Sequence, residues 1–146
     1  MPTQHTFIIA EAGSNWRMGT KTRDLSMAKS LIDVAAECKC DAIKFQTYKS
    51  ETTYVSNAGK SDYLSNSGIN EQITEIFQDL SMPYDMIPEL ADYCKTQKIE
   101  FMSTPFSVND AKAIDPFGSL NLSDRKKYSN IKTDGTIVIN NVLIIS

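Results

Sequence analysis

Glu11, Lys44, Gln46, Ser103 and Thr104 are the residues of this sequence whose types and spacing could do chemistry. A carboxylate can move a proton and an ammonium can hold a phosphate or carboxylate. A side-chain amide offers donor and acceptor together, and hydroxyls complete an anion's shell. In the stretch from Asp41 to Lys49, Ala42, Ile43 and Phe45 read as a short buried strand, and Lys44 and Gln46 alternate with them. One face of that strand therefore carries an ammonium and an amide. Taken alone, this reads better as a half-exposed strand whose lysine reaches water. Glu11 and the Ser103–Thr104 pair change the balance, because each also closes an apolar run.

The elements that must position these residues alternate strand and helix. Thr6 to Ala10 is apolar and β-branched and passes into Glu11-Ala12-Gly13-Ser14-Asn15, which is turn chemistry with a carboxylate at its mouth. Asp24 is a candidate N-cap for a helix from about Leu25 to Glu37, with Leu25, Ala28, Leu31, Ile32, Ala35 and Ala36 on one face. The strand around Lys44 follows, so the chain opens with a βαβ unit whose crossover makes the two strands parallel. A polar loop runs from Thr47 to about Gly68, a length that suits a lid or binding segment as well as an ornamental insertion. Helical spacing resumes over Ile69 to Leu80, Ser81-Met82-Pro83-Tyr84 interrupts it, and a second helix extends to about Gln97 with Met86, Ile87, Leu90, Ala91 and Cys94 inward. Ile99 to Ser103 is the third strand, ended by Thr104-Pro105-Phe106, and Ser107 is a candidate cap for a helix from Val108 to Ile114. A barrel and an open doubly wound sheet both fit this order, and in each the strands' carboxyl ends face the ligand.

Composition narrows the function classes. The 146 residues are 41% hydrophobic, which suffices for a core, and carry a net charge of −3. That balance and a pI near 5.1 exclude an extended nucleic-acid surface, so any phosphate site is small and local. No basic leader precedes an apolar run at the N-terminus and no stretch of about 18 apolar residues occurs, so the expectation is a soluble, cytoplasmic protein without membrane partners. Cys38, Cys40 and Cys94 cannot all pair with one another, and Cys38-Lys39-Cys40 lacks the spacer of zinc or redox pairs, which leaves reduced thiols.

Phe7-Ile8-Ile9-Ala10-Glu11-Ala12-Gly13-Ser14-Asn15, Lys44-Phe45-Gln46-Thr47 and Phe101-Met102-Ser103-Thr104-Pro105-Phe106 resemble the three opening strand-end motifs of the N-acetylneuraminate (sialic acid) synthase family. The resemblance covers Phe7 to about Phe117. It implies an α/β fold, here a partial TIM-type (β/α) barrel of roughly the first three β/α units over residues 1–117, followed by an unrelated, β-prone tail over 118–146. It implies a transferase that condenses phosphoenolpyruvate with an N-acetylated amino sugar of the N-acetylmannosamine type to give a nonulosonic acid, using a divalent metal of the Mn or Mg kind. By position, Lys44 and Thr104 match contacts to phosphoenolpyruvate, Gln46 and Asn66 match sugar contacts, and Glu11 matches the catalytic glutamate. Glu11 equally suits a carboxylate that only orients Lys44. Full-length members form homodimers.

The sequence departs from the pattern twice. Asn15-Trp16-Arg17-Met18-Gly19 replaces the Asn-His-Asn-Gly of many members, so Trp16 and Arg17 are either sugar contacts or loop packing. After Phe117 the expected Lys-Ile-Ala-Ser type strand gives way to Gly118-Ser119-Leu120-Asn121, and the family's metal-binding histidines have no counterpart. His5 precedes the first strand and is expected to be solvated. The metal ligands are thus expected to be absent from this chain, and the chain to be a truncated form inactive alone. Its alternatives are a non-catalytic module for a small phosphorylated acid and one half of a two-chain enzyme. In the tail, Thr136 to Ile145 is β-forming around Asn140-Asn141, as a hairpin or one long strand. Two open sheet edges and an exposed apolar sheet face predict an oligomeric or aggregation-prone monomer.

Overall fold

The computed structural model describes residues 5–50, 73–117, 129–131, 137–139 and 142–145. In order these form β1 (Phe7–Gly13), α1 (Lys21–Glu37), β2 (Ala42–Thr47), α2 (Ile73–Asp79), α3 (Met86–Gln97), β3 (Glu100–Pro105) and α4 (Val108–Ile114). A 3-10 turn (Asp115–Phe117), β4 (Ser129–Ile131), β5 (Ile137–Ile139) and β6 (Val142–Ile145) complete them. The long loop after Lys49, including Asn66, and the Asn140-Asn141 step lie outside the described residues.

The βαβ reading holds. β1, β2 and β3 are parallel neighbours in one sheet, with Glu11 level with Lys44 and Gln46 level with Thr104. α1 and α3 cover one face of that sheet. Their inward stripes match the spacing of the sequence: Ala28, Ile32 and Ala35 from α1, with Met86, Ile87, Leu90, Ala91 and Cys94 from α3, are buried against Ile43, Phe45 and Phe101. Each large aliphatic side chain so buried is worth about 1.5–3 kcal/mol. Ser107 caps α4 as expected, its hydroxyl accepting from the Asp110 N–H.

Two local expectations, on Asp24 and His5, are corrected. Asp24 does not cap α1, because the helix starts one turn earlier at Lys21; Asp24 is instead buried in the first turn, where it accepts from the Met18 N–H and the Arg17 guanidinium, both at 2.6 Å. Just past α1 and at the end of α3 stand two lysines in the left-handed region, Lys39 and Lys98. A bond from the N–H of the next residue back five positions closes both helices, Cys40 to Ala35 and Ile99 to Cys94, as in a Schellman ending. His5 is exposed yet not merely solvated, since it meets Asp41 at 2.7 Å.

Among the described residues of the tail, Ile137–Ile139 and Val142–Ile145 pair with different strands rather than with each other. β5 pairs antiparallel with β4, whereas β6 joins the main sheet parallel to β1, giving the order β3-β2-β1-β6. The unpaired edge of β1 takes up a strongly β-forming run that would otherwise need another chain. Nor is the face away from the helices an exposed apolar surface. Its apolar residues, Ile9, Ala42 and Met102, are buried in a small cluster with Phe7 packed against them. Among the described residues no helix is long and apolar enough to cross a membrane.

Candidate active site

Pleating sends Phe7, Ile9 and Glu11 of β1, Ala42, Lys44 and Gln46 of β2, and Met102 and Thr104 of β3 to the face opposite the helices. Along β1 and β2 the apolar residues come first and the polar ones follow toward the carboxyl end; on β3 exposed Glu100 precedes Met102 and Thr104. Glu11, Lys44, Gln46 and Thr104 are thereby gathered into one group from three unlinked segments. Lys44 is its centre. The ammonium forms an ion pair with Glu11 Oε2 and lies 3.4 Å from the Thr104 hydroxyl, to which it donates. Both ionic side chains are about one-fifth exposed, at 20% each, so the pair is shielded but reachable from solvent.

Glu11 is held from a second direction. Its other oxygen, Oε1, accepts from the Gly13 N–H at 3.1 Å. A Cβ placed on Gly13 would stand 3.7 Å from that oxygen and 3.8 Å from the Gln46 amide nitrogen, so Gln46 borders the same space. The sequence marked Gly13 only as turn chemistry; its backbone contact with Glu11 had no signal beyond the Glu-Ala-Gly order.

Ser103 does not join this group. It points to the helix side, where its hydroxyl and that of Thr47 bond at 2.6 Å in a buried setting. The alternation of the strand dictates this, since Ser103 and Thr104 cannot both face one side. Trp16 and Arg17 also serve packing. Trp16 is buried in the helix-side core. Arg17 bridges Asp24 of α1 and Asp79 of α2, and these bonds, that of Asp79 foremost, raise the guanidinium's already high pKa against desolvation. A cleft of about 760 Å³ opens beside them, lined by residues that include neither Glu11 nor Lys44, and its cations Arg17 and Lys21 are bonded to aspartates. Asn66 lies outside the described residues. Cys38, Cys40 and Cys94 are free thiols, and burial pushes Cys94 up to about 12.

The sequence model of the NeuB family matches residues 31–122. The chain belongs to the NeuB family. Among its curated relatives, the spore coat polysaccharide biosynthesis protein SpsE of Bacillus subtilis is 38% identical over 98 residues, covering 67% of this chain and 24% of that protein. An N,N'-diacetyllegionaminic acid synthase of Campylobacter jejuni is 33% identical over 114 residues, covering 77% of this chain and 33% of its own. In structure the chain is similar to the N-acetylneuraminic acid (sialic acid) synthetase of Leptospira borgpetersenii, with a TM-score of 0.61 and 28% identity over 80% of this chain and 34% of that one. The chain thus spans about a quarter to a third of the length of these NeuB-family relatives. The resemblance read from the three strand-end motifs is the family these comparisons identify, and its α/β core with parallel β1, β2 and β3 is the fold they share.

Proposed function

We propose that this chain carries the phosphoenolpyruvate-gripping part of a nonulosonic acid synthase, a transferase that joins phosphoenolpyruvate to an N-acetylated amino sugar of the N-acetylmannosamine type. The observation that supports it best is the Lys44 ammonium standing between a carboxylate and a hydroxyl at the strands' carboxyl ends. An incoming phosphate or carboxylate takes the ammonium from Glu11 and accepts from the Thr104 hydroxyl, charge-assisted contacts made in a partly shielded site. Glu11, freed of its partner, is then a base or acid for the sugar as the carbon–carbon bond forms. Gln46 serves the sugar's hydroxyl or N-acetyl group with donor and acceptor together, and Asn66 is proposed beside it.

One ammonium does not balance a multiply charged phosphate ester, so further cations come from outside the described residues. A divalent metal of the Mn or Mg type belongs to the same proposal. Among the described residues no three histidine, cysteine, aspartate or glutamate side chains stand together, so they do not fit such an ion. β3 stands at the sheet edge, a position from which further strands, of this or another chain, would complete the site. We propose accordingly that the chain is inactive by itself, cytoplasmic, and oligomeric or prone to self-association.

Titration with phosphoenolpyruvate, followed by NMR, tests the grip. The expected outcome is millimolar binding, about 4 kcal/mol, that Lys44→Ala weakens at least about tenfold. Equal affinity for the two proteins, or none for either, refutes it. A non-catalytic phosphate-binding module would bind equally well but release no phosphate from phosphoenolpyruvate and sugar once the remaining strands are supplied in trans.

A further inference from the structure

We infer that Gly13 is a positioning residue: its backbone N–H holds Glu11 in place so that Lys44, not the carboxylate, is the partner that moves when an anion arrives. This deepens the proposed function and rests on it for its ligand. The pairing of β1 with β2 runs Ile9 to Ala42, Ala10 to Ile43 and Glu11 to Lys44, then slips, so that Gly13 rather than Ala12 faces Phe45. Two residues of β1 thus oppose one of β2, which is a bulge. Ala12 is buried in the helix-side core, and Gly13 follows at φ +52°. The bulge turns the Gly13 N–H back onto Glu11 Oε1, leaving Oε2 for Lys44, and the positive φ of Gly13 carries the chain onward out of the bulge.

A glutamate tied only to an ammonium follows it through three rotatable torsions and competes with any anion for it. A glutamate anchored by a backbone N–H stays. Lys44 can then leave for the anion while Glu11 keeps its place and its free oxygen. Space does not explain the glycine, because an added Cβ would meet its neighbours at 3.7 and 3.8 Å, ordinary contact. The backbone angle does, since a side chain at positive φ is disfavoured, least for asparagine and most for β-branched residues.

Three variants separate this role from a merely structural one. Gly13→Asn retains the left-handed turn, Gly13→Val does not, and Gly13→Ala is intermediate. In the ligand-free protein the ε-carbon NMR resonance of 13C-labelled Lys44 reports its pairing with Glu11. We expect it unmoved in Gly13→Asn and displaced in Gly13→Val, with phosphoenolpyruvate affinity within about twofold of the parent in the first and about tenfold weaker in the second. In a Glu11→Ala background Gly13→Val changes affinity no further, because the N–H has lost its acceptor. A Lys44 resonance unchanged in Gly13→Val, or the same loss of affinity with and without Glu11, overturns the inference. Should Gly13→Val fail to fold, Gly13→Ala decides, and a parental Lys44 resonance there overturns it. If the parent does not bind phosphoenolpyruvate while the resonances move as stated, the proposed ligand fails and the positioning role stands.

Discussion

Replacing Thr47 by valine removes the hydroxyl to which that of Ser103 is bonded. Thr47 is fully buried and Ser103 is 7% exposed, and their hydroxyls meet at 2.6 Å on the helix side of the sheet. Thr47→Val therefore leaves the Ser103 hydroxyl buried without its partner, a desolvation penalty of about 1–3 kcal/mol, and Ser103→Ala does the same to Thr47. Removing both hydroxyls leaves no orphan, so both penalties disappear and the double variant is expected to cost about 2–6 kcal/mol less than the sum of the singles. Urea unfolding of the four proteins measures this cycle through their midpoints at constant slope. Strictly additive costs would refute the claim that the two hydroxyls serve each other. Ligand binding supplies the second half of the test. Because Ser103 lies on the face away from Lys44, Ser103→Ala is expected to leave phosphoenolpyruvate affinity unchanged, and a loss of affinity without a loss of stability would return Ser103 to the site.

Asp41 gives a pH dependence. Burial pushes its carboxyl up, but the bonds from the Ile8 N–H and His5 outweigh that and hold it below the usual carboxylate range. Its contribution is thus fully present above its unfolded value of about 3.9 and is lost as pH falls through the lower folded value, so the melting temperature should fall below about pH 4 more steeply in the parent than in Asp41→Asn. Lys98 ends α3 at φ +59°, and Lys98→Gly should relieve about 1 kcal/mol, read as a higher urea midpoint; a lower one would contradict the strain. Thiol labelling of the native protein should modify exposed Cys38 rapidly and Cys94 only after unfolding, since Cys94 is fully buried with its thiol pushed up to about 12; equal rates would contradict that burial.

Most of the fold was legible because periodicity and burial agree. The stripes of α1 and α3 were readable from spacing alone, and so were β1 to β3, since apolar strands bounded by turn residues have few other uses. What escaped depends on partners distant in sequence. Asp24 reads as a cap from its neighbours, and only the guanidinium of Arg17, itself drawn to Asp79, makes it a buried anchor inside the helix. The destination of Val142–Ile145 was hidden for the same reason, because β-propensity says that a segment will pair without saying with which edge. At the site the types Glu11, Lys44, Gln46 and Thr104 were readable from the strand ends. Ser103 was misplaced because grouping by position along a strand ignores which face each residue takes.

Register explains why Lys44 stands where an anion would need it. Its level neighbour on β1 is Glu11 and its level neighbour on β3 is Met102, which is buried with Ile9 and Ala42. A thioether is a weak acceptor, so on the β3 side the ammonium finds no partner at its own level. It turns instead to Glu11 and, two residues further along β3, to the Thr104 hydroxyl. The buried cluster also lowers the local dielectric on the side away from the strands' carboxyl ends, strengthening the ammonium's attraction to whatever charge lies on the open side. A polar residue at position 102 would have offered a third acceptor and drawn the ammonium away from that opening. Ile9, Ala42 and Met102 thus help to direct the polar residues that follow them, and the same alternation that builds the helix-side core supplies both.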